Sequence, residues 1–279
     1  MRLGGIGARR RTGRIGLIVG VVIAVLMIGT VVIGSITWDL SPSALSLTKK
    51  LERPSWQHPL GTDSFGRDQF ARLLDGGRRS LSIAAVILAG VVTISLALGV
   101  LAGLAGGVVD SAISRVVDVL LSIPSTLLAL ALVGVLGPGL VSLMIAMITS
   151  LWAGYTRIAR SLTIAARNRG DVLAARQAGR GWVATTRGHI VPGVVSQLLV
   201  LATLDIGGVL AAIASLSFLG LGVQSPDAEW GSMLSESRLF LTNAPWLLAA
   251  PTAAIVLTVL AANLIGESMH DRLVMERTR

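Results

Sequence analysis

Long apolar runs alternate with short clusters of arginine along this chain. Crossing the hydrocarbon core of a bilayer takes about 20 residues of helix, so each run predicts at least one membrane-spanning helix. One run is too long for a single helix, and Gly137-Pro138-Gly139 near its middle predicts a tight helical hairpin. The five runs are Ile15 to Ile36, Ser80 to Val109, Val119 to Thr156, Ile190 to Pro226 (which contains Asp205) and Leu239 to Gly266. They predict six helices, at roughly 15–37, 81–105, 116–136, 140–160, 192–214 and 246–266.

Composition supports an all-α membrane protein. Of the 279 residues, 53% are hydrophobic and 14% are charged, and the mean hydropathy is +0.76. A soluble domain carries about a quarter charged residues, so lipid is the solvent for much of this chain. The net charge of +9 lies in arginine clusters between apolar runs, where it orients a membrane protein, and aromatic residues for base stacking are scarce. We therefore expect a lipid bilayer and no nucleic acid as partner.

The first apolar run admits two interpretations, a cleaved signal peptide or a retained anchor. Its 22 residues exceed the 7–15-residue core that is usual for signal peptides, and no convincing small-residue cleavage site follows, which favours the anchor. The expected organisation is a tail with the first helix at 1–37, an external loop at 38–80 and a five-helix core at 81–279. A cytoplasmic loop at 161–191 belongs to that core.

Lysine and arginine near helix ends predict the orientation. Arginine clusters precede the first helix, follow the last one and fill the loop between helices four and five, so these parts and both termini should be cytoplasmic in a plasma (inner) membrane. The loop at 224–244 is acidic and should be external. The loop at 38–80 disagrees, because it is also basic although the other signals place it outside.

The cytoplasmic loop contains a short predicted helix from Asp171 to Gln177, which Gly179 should end. A basic stretch then leads to Pro192, which we expect in the first turn of helix five, where proline is tolerated. Periodicity leaves two interpretations open. The short helix lies on the lipid surface with its arginines near anionic headgroups, or it docks into a soluble partner.

Residues of this loop resemble a known family motif. Ala174-Ala175-x-x-x-Gly179 followed by His189-Ile190-Val191-Pro192 is similar to the Glu-Ala-Ala loop of binding-protein-dependent ABC importer permeases. It departs from the motif at Leu173, where the family has its acid, and at Val191, where leucine is usual. The resemblance implies a coupling helix that sits in a groove of an ATP-hydrolysing subunit. The implied coupling residues are Asp171, Ala174, Ala175, Arg176, Gly179 and Pro192.

Three further segments look like the C-type subunit of the dipeptide/oligopeptide/nickel permease group. They are His58 to Asp68 with the pattern Gly-Thr-Asp-x-x-Gly-Arg-Asp, Gly99 to Leu130, and Leu216 to Ser235 with the pattern Leu-Ser-Phe-Leu-Gly. The resemblance implies the type I ABC importer transmembrane fold and a heterodimer with a homologous permease. It also implies two ATP-binding subunits, which hold ATP and magnesium, and an extracellular or periplasmic binding protein.

Several polar or aromatic residues are candidates for function. Asp63, Arg67 and Asp68 in the external loop suggest either a substrate-facing site or a structural ion-pair network. Asp205 lies about 20 Å into helix five, where it either faces the substrate path or makes a hydrogen bond at a subunit interface. Trp230 suits a membrane-interface anchor, an outer gate or a contact with the binding protein.

The sequence contains no sign of enzymatic chemistry. It lacks a Gly-x4-Gly-Lys-Ser/Thr loop for ATP, its three histidines are dispersed, and it has no cysteine, so no cofactor or metal is expected on this chain. Three classes of function were weighed, namely a transport subunit driven by a partner ATPase, a secondary transporter or channel, and a membrane scaffold. The first is favoured, with short peptides as the first choice of substrate and nickel or another metal chelate as the alternative.

Overall fold

All regular secondary structure in the described part of the chain is helical. A computed structural model of the protein describes the backbone of residues 4–39 and 41–277 and the side chains of 15–39 and 41–269. Short 3₁₀ segments lie at Leu47–Lys49 and Arg238–Phe240, and a π-helical turn lies at Thr186–Ile190. The α-helices are α1 Gly4–Thr37, α2 Gln69–Ala105, α3 Gly107–Leu121, α4 Ser125–Leu136, α5 Leu140–Arg167, α6 Gly170–Gln177, α7 Trp182–Thr185, α8 Val191–Phe218, α9 Trp230–Ser237 and α10 Trp246–Arg277.

The helices confirm the predicted membrane architecture. Within the described residues, five helical segments are long and apolar enough to cross a bilayer, and α3 with α4 forms a sixth span if the pair is counted as one. The pair is bent by 86° around Ser122 to Pro124, so the single predicted helix at 116–136 is wrong. Pro124 disfavours helical backbone at the preceding residue, which accounts for the break.

The second helix begins earlier than its apolar run. It starts at Gln69 rather than near residue 81, and the side chain of Asp68 accepts a hydrogen bond of 2.6 Å from the backbone N–H of Ala71. An acidic residue just before a helix satisfies one of the unpaired N–H groups of the first turn. The segment before α2 is therefore shorter than the predicted loop at 38–80.

The chain divides into two compact units. In unit 1, α1 packs against α10. In unit 2, α2 packs closely on α5, where a Cβ on Gly99 would lie 2.4 Å from the Cβ of Ala159. Glycine in an apolar helix permits this approach. Unit 1 comprises Met1–Ala85, Val133–Leu143 and Thr203–Arg279, and unit 2 comprises Val86–Leu132 and Met144–Ala202.

The terminal arginine clusters at positions 2–14 and 272–279 lie outside the described side chains, as does His270. The part of the predicted orientation that depends on them therefore stays a prediction.

Candidate functional site

The predicted coupling helix is present as α6 in unit 2, and Gly179 ends it as expected. Gly179 adopts a φ of +81°, a left-handed conformation that side-chain-bearing residues rarely take. Its N–H donates to the carbonyl of Arg176 at 3.0 Å, and the N–H of Arg180 donates to the carbonyl of Ala175 at 3.1 Å. These two bonds form a Schellman motif, which closes the helix sharply. The result is a short helix with a defined C-terminal end.

Most of α6 is exposed. Val172 is fully buried, whereas Leu173, Ala174 and Arg176 face outward. Leu173 stands where the family motif has its acid, and its side chain is 46% exposed. Leu173 and Ala174 thus give this helix a small exposed apolar surface.

Charged groups fix the start of α6. The guanidinium of Arg169 donates to both carboxylate oxygens of Asp171, at 3.0 and 2.8 Å, in bidentate geometry. The Nδ1 of His189 lies 3.6 Å from the same carboxylate. Desolvation raises the pKa of Asp171, but the hydrogen bonds and charge of Arg169 together outweigh it and hold the pKa below its ordinary value. Asp171 is therefore ionised, and its negative charge at the helix N-terminus is favourable.

Pro192 is the second residue of α8 and so lies in its first turn, as predicted. No break precedes α8, because helical backbone runs continuously from Trp182 to Phe218. The turn at Thr186–Ile190 is π-helical, and the N–H of Val191 donates to the carbonyl of Thr186. A wider turn relieves the clash that a proline ring makes with the carbonyl four residues earlier, which explains why the helix persists.

In unit 1, Asp63 and Arg67 form the centre of a buried ion-pair network. The Nε of Arg67 lies 2.5 Å from one oxygen of Asp63, whose other oxygen accepts the backbone N–H groups of Phe65 and Arg67 at 2.8 and 2.9 Å. Gly66 lies in this turn with a φ of +73°. Arg67 is 1% exposed, so the geometry supports the structural interpretation of this pair over a substrate-facing one.

Two members of this network were missed by the sequence analysis. The carboxylate of Glu236 accepts from Arg67 at 2.9 Å and from Arg72 at 2.8 Å, through the same oxygen. Arg72 is also 1% exposed and lies 3.5 Å from Asp63. Glu236 comes from α9, far along the chain, and only its place in an acidic external loop could have marked it.

Asp68 has a different role from Asp63. Besides capping α2, its carboxylate lies 2.7 Å from the Nδ1 of His58 and 3.3 Å from the Nε1 of Trp38. His58, Asp68 and the first turn of α2 are thereby held together. Asp68 is buried, which again indicates that it stabilises the segment before α2.

Trp230 is not a membrane-interface anchor, and that preferred interpretation is wrong. The residue is 1% exposed and packs in a cluster with Val31, Met233 and Ala254. Its Nε1 donates to the carbonyl of Leu73 at 3.1 Å. An anchor must reach the lipid headgroups, which a side chain in a protein core cannot do.

Asp205 lies near the middle of α8 and is partly buried. Two residues further along, a Cβ on Gly207 would lie 2.8 Å from a methyl group of Val259, so α8 packs tightly on α10 here. Asp205, Asp63, Arg67 and Asp68 belong to unit 1, whereas the residues of α6 belong to unit 2. Among the side chains described, no group of three or more His, Asp or Glu residues could hold a metal ion.

The chain is similar to known transport proteins along nearly its whole length. Residues 95–277 match the family described as binding-protein-dependent transport system inner membrane component. The chain is 42% identical over 252 residues to a nickel transport system permease protein of Escherichia coli (strain K12), covering 90% of this chain and 91% of that protein.

Two other relatives are named as dipeptide permeases. A dipeptide transport system permease protein of Alkalihalophilus pseudofirmus is 37% identical over 256 residues, with 92% and 84% of the two chains covered. A probable D,D-dipeptide transport system permease protein of Escherichia coli (strain K12) is 38% identical over 252 residues, with 90% and 85% covered.

Proposed function

We propose, on the premise that this chain belongs to the family of binding-protein-dependent transport system inner membrane components, that it lines a translocation pathway for short peptides. Family membership makes the chain a permease subunit of an ABC importer rather than a secondary transporter or a scaffold. A second, homologous permease subunit completes the pathway, two ATP-binding subunits with magnesium supply the energy, and a binding protein delivers the solute.

The geometry of α6 is the observation that carries this proposal. The helix has a bidentate Arg169–Asp171 pair at its start and a Schellman motif at its end, and it exposes Leu173 and Ala174 between them. A short helix fixed at both ends moves as a rigid body. It can therefore transmit closure of the ATPase dimer to the permease, which opens the solute cavity to the outside in alternating access. The coupling residues are Asp171, Ala174, Ala175, Arg176, Gly179 and Pro192.

The orientation that follows places both termini and α6 in the cytoplasm, and the segment around Asp63 and Arg67 on the outer side. That outer segment is rich in arginine, although arginine elsewhere in the chain marks the cytoplasmic side. The structure supplies a reason for arginine there that is independent of orientation, since Arg67 and Arg72 are buried partners of Asp63 and Glu236. The binding protein would dock on this outer side.

The substrate class rests on two observations. Two of the relatives are dipeptide and D,D-dipeptide permeases. Asp205 also places a carboxyl group at mid-depth of a spanning helix, where it suits the amino terminus of a peptide. A nickel complex is the second candidate, favoured by the 42% identity to a nickel permease over 252 residues.

Reconstituted transport separates the two substrates. The chain is incorporated into proteoliposomes with its second permease, its ATPase subunits and its binding protein, and uptake of a labelled dipeptide and of nickel is followed with and without ATP. We expect ATP-dependent uptake of the dipeptide, reduced in Asp205→Asn. Uptake of nickel but not of the dipeptide would replace the first candidate by the second, and uptake without nucleotide would refute the proposal. Unchanged transport of both solutes in Asp205→Asn would remove Asp205 from the pathway.

A further inference from the structure

Two arginine side chains from different helices lie over the ring of Trp182, the first residue of α7. The Cζ of Arg176 in α6 lies 4.6 Å from the ring centroid, and the Cζ of Arg167 at the end of α5 lies 5.8 Å away. A guanidinium within about 6 Å of an indole ring is attracted by the negative face of the ring. Trp182 is half-buried, so these contacts are partly shielded from water.

Arg167 also binds the end of α2. Its Nη1 donates to the carbonyl of Gly103 at 2.9 Å and to that of Leu104 at 3.2 Å. Both carbonyls lie in the last turn of α2, where they have no partner within the helix. A cation at a helix C-terminus is favourable because the carbonyl groups there carry partial negative charge. One arginine thus connects the ring of Trp182 to the end of a spanning helix.

The surroundings of this connection are tightly packed. A Cβ on Gly103 would lie 2.7 Å from the Cβ of Thr163, so α2 and α5 are in close contact here. The buried hydroxyl of Thr185 donates to the carbonyl of Gly181 at 3.1 Å, which fixes the turn that carries Trp182. Close-packed interiors transmit displacement rather than absorb it, so a displacement of Arg167 would be passed on to the end of α2.

We infer that Trp182 and Arg167 are positioning residues that transmit the displacement of α6 to the end of α2, and so link ATP hydrolysis to solute movement. The inference rests on the proposed function of α6 as the contact with the ATPase. Neither residue needs to touch the ATPase or the solute. Their effect is on how many solute molecules move for each ATP hydrolysed.

The ratio of solute transported to ATP hydrolysed by the reconstituted complex tests this inference. In Trp182→Ala we expect a complex that assembles and hydrolyses ATP, with a ratio lowered about fivefold or more, the size of a modest coupling between sites. Trp182→Phe keeps an aromatic face and should restore much of the ratio. A residue that only stabilises the fold would lower transport and hydrolysis in parallel.

Arg176→Ala supplies a second and independent variant. It removes the nearer guanidinium from an exposed position, and it decides the question if Trp182→Ala fails to assemble. Its effect should disappear in the Trp182→Ala background, because both changes interrupt one connection and paired changes of this kind are not additive. Arg115→Ala, at an exposed arginine of α3, is the matched control and should leave the ratio unchanged.

The outcomes separate the inference from the proposed function. If the unmodified complex shows no ATP-driven uptake, the proposed function fails. If it transports normally and Trp182→Ala and Arg176→Ala keep the full ratio, or lose transport and hydrolysis together, the proposed function stands and the inference is overturned.

Discussion

Arg67 and Glu236 form an ion pair of 2.9 Å although 169 positions separate them in the chain. The pair ties the Gly-Thr-Asp-x-x-Gly-Arg-Asp segment, which we propose to be external, to α9. Because the guanidinium is buried, its charge depends on this carboxylate and on Asp63 for compensation. The external segment is therefore fixed to the rest of unit 1 by charge as well as by apolar contact.

Replacing the shared carboxylate should destabilise the protein. Glu236→Gln removes a negative charge from Arg67 and Arg72 and leaves both buried groups with weaker partners, at a cost of about 1–3 kcal/mol. The measurement is thermal unfolding of the purified protein in detergent. Glu267→Gln, at an exposed acid of α10, is the control and should unfold at the same temperature as the unmodified chain. Equal unfolding temperatures for both variants would show that the network contributes no stability.

The turn before this ion pair should tolerate no side chain at Gly66. A Cβ there would lie 1.8 Å from the carbonyl oxygen of Ser46, and the φ of +73° alone costs alanine about 1–2 kcal/mol. Gly66→Ala should therefore lower the unfolding temperature markedly. Gly134→Ala in α4 is the matched control, since a Cβ there meets nothing within 4 Å and alanine favours helix. A Gly66→Ala variant as stable as the control would contradict the described turn.

Most of the spanning helices could be predicted from the sequence, because a long apolar run in lipid has few possible structures other than a helix. The start of α2 was missed since Arg72, Asp75, Arg78 and Arg79 make its first turns as charged as a loop. The structure shows why charge is tolerated there. Arg72 pairs with Glu236, and Arg79 lies 3.1 Å from Asp75 and 2.8 Å from Asp227. Hydropathy cannot report such pairing, because two of the partners, Glu236 and Asp227, come from distant positions.

The helix α9 was missed for a different reason. Its residues were expected in a loop, yet Glu229 caps it by accepting from the N–H groups of Gly231 and Ser232 at 2.9 and 3.0 Å. The Ser232 hydroxyl in turn accepts the N–H of Glu229, which completes a capping box. The acid precedes the serine here, the reverse of the usual order, so the common motif does not reveal it. The role of Trp230 was misjudged as a consequence.

Replacing Gly179, which ends α6, should weaken the coupling between ATP hydrolysis and transport. The cause is its backbone conformation, since a side chain at this position would meet no neighbour. Gly179→Ala meets no neighbour within 4 Å but must adopt a φ of +81°, so it should loosen the Schellman motif and fray the helix. We expect weaker stimulation of ATP hydrolysis by the loaded binding protein in the reconstituted complex. Gly170→Ala at the other end of α6 has the same free space without the left-handed backbone, and it should retain full stimulation. Equal stimulation in the two variants would argue against a rigid α6.

Close packing of α2 on α5 should be sensitive to one methyl group. A Cβ on Gly99 would lie 2.4 Å from the Cβ of Ala159 and 2.9 Å from the backbone N of Arg160, so Gly99→Ala forces the helices apart. Overpacking of this kind costs about 1–3 kcal/mol. Gly29→Ala in α1, where a Cβ meets nothing within 4 Å, should be neutral in the same thermal unfolding measurement. A neutral Gly99→Ala would contradict the described contact.

Labelling of single cysteines tests most directly the central claim that α6 is the cytoplasmic contact with a separate ATPase. The chain has no cysteine of its own, so Ala174→Cys on the exposed side of α6 and Trp56→Cys on the fully exposed external segment each give one reactive site. A membrane-impermeant maleimide is applied to inside-out and right-side-out vesicles. The account predicts labelling of Ala174→Cys only in inside-out vesicles, blocked when the ATPase subunits are bound, and labelling of Trp56→Cys only in right-side-out vesicles. Labelling of Ala174→Cys from the outer side, or labelling that bound ATPase leaves unchanged, would contradict it.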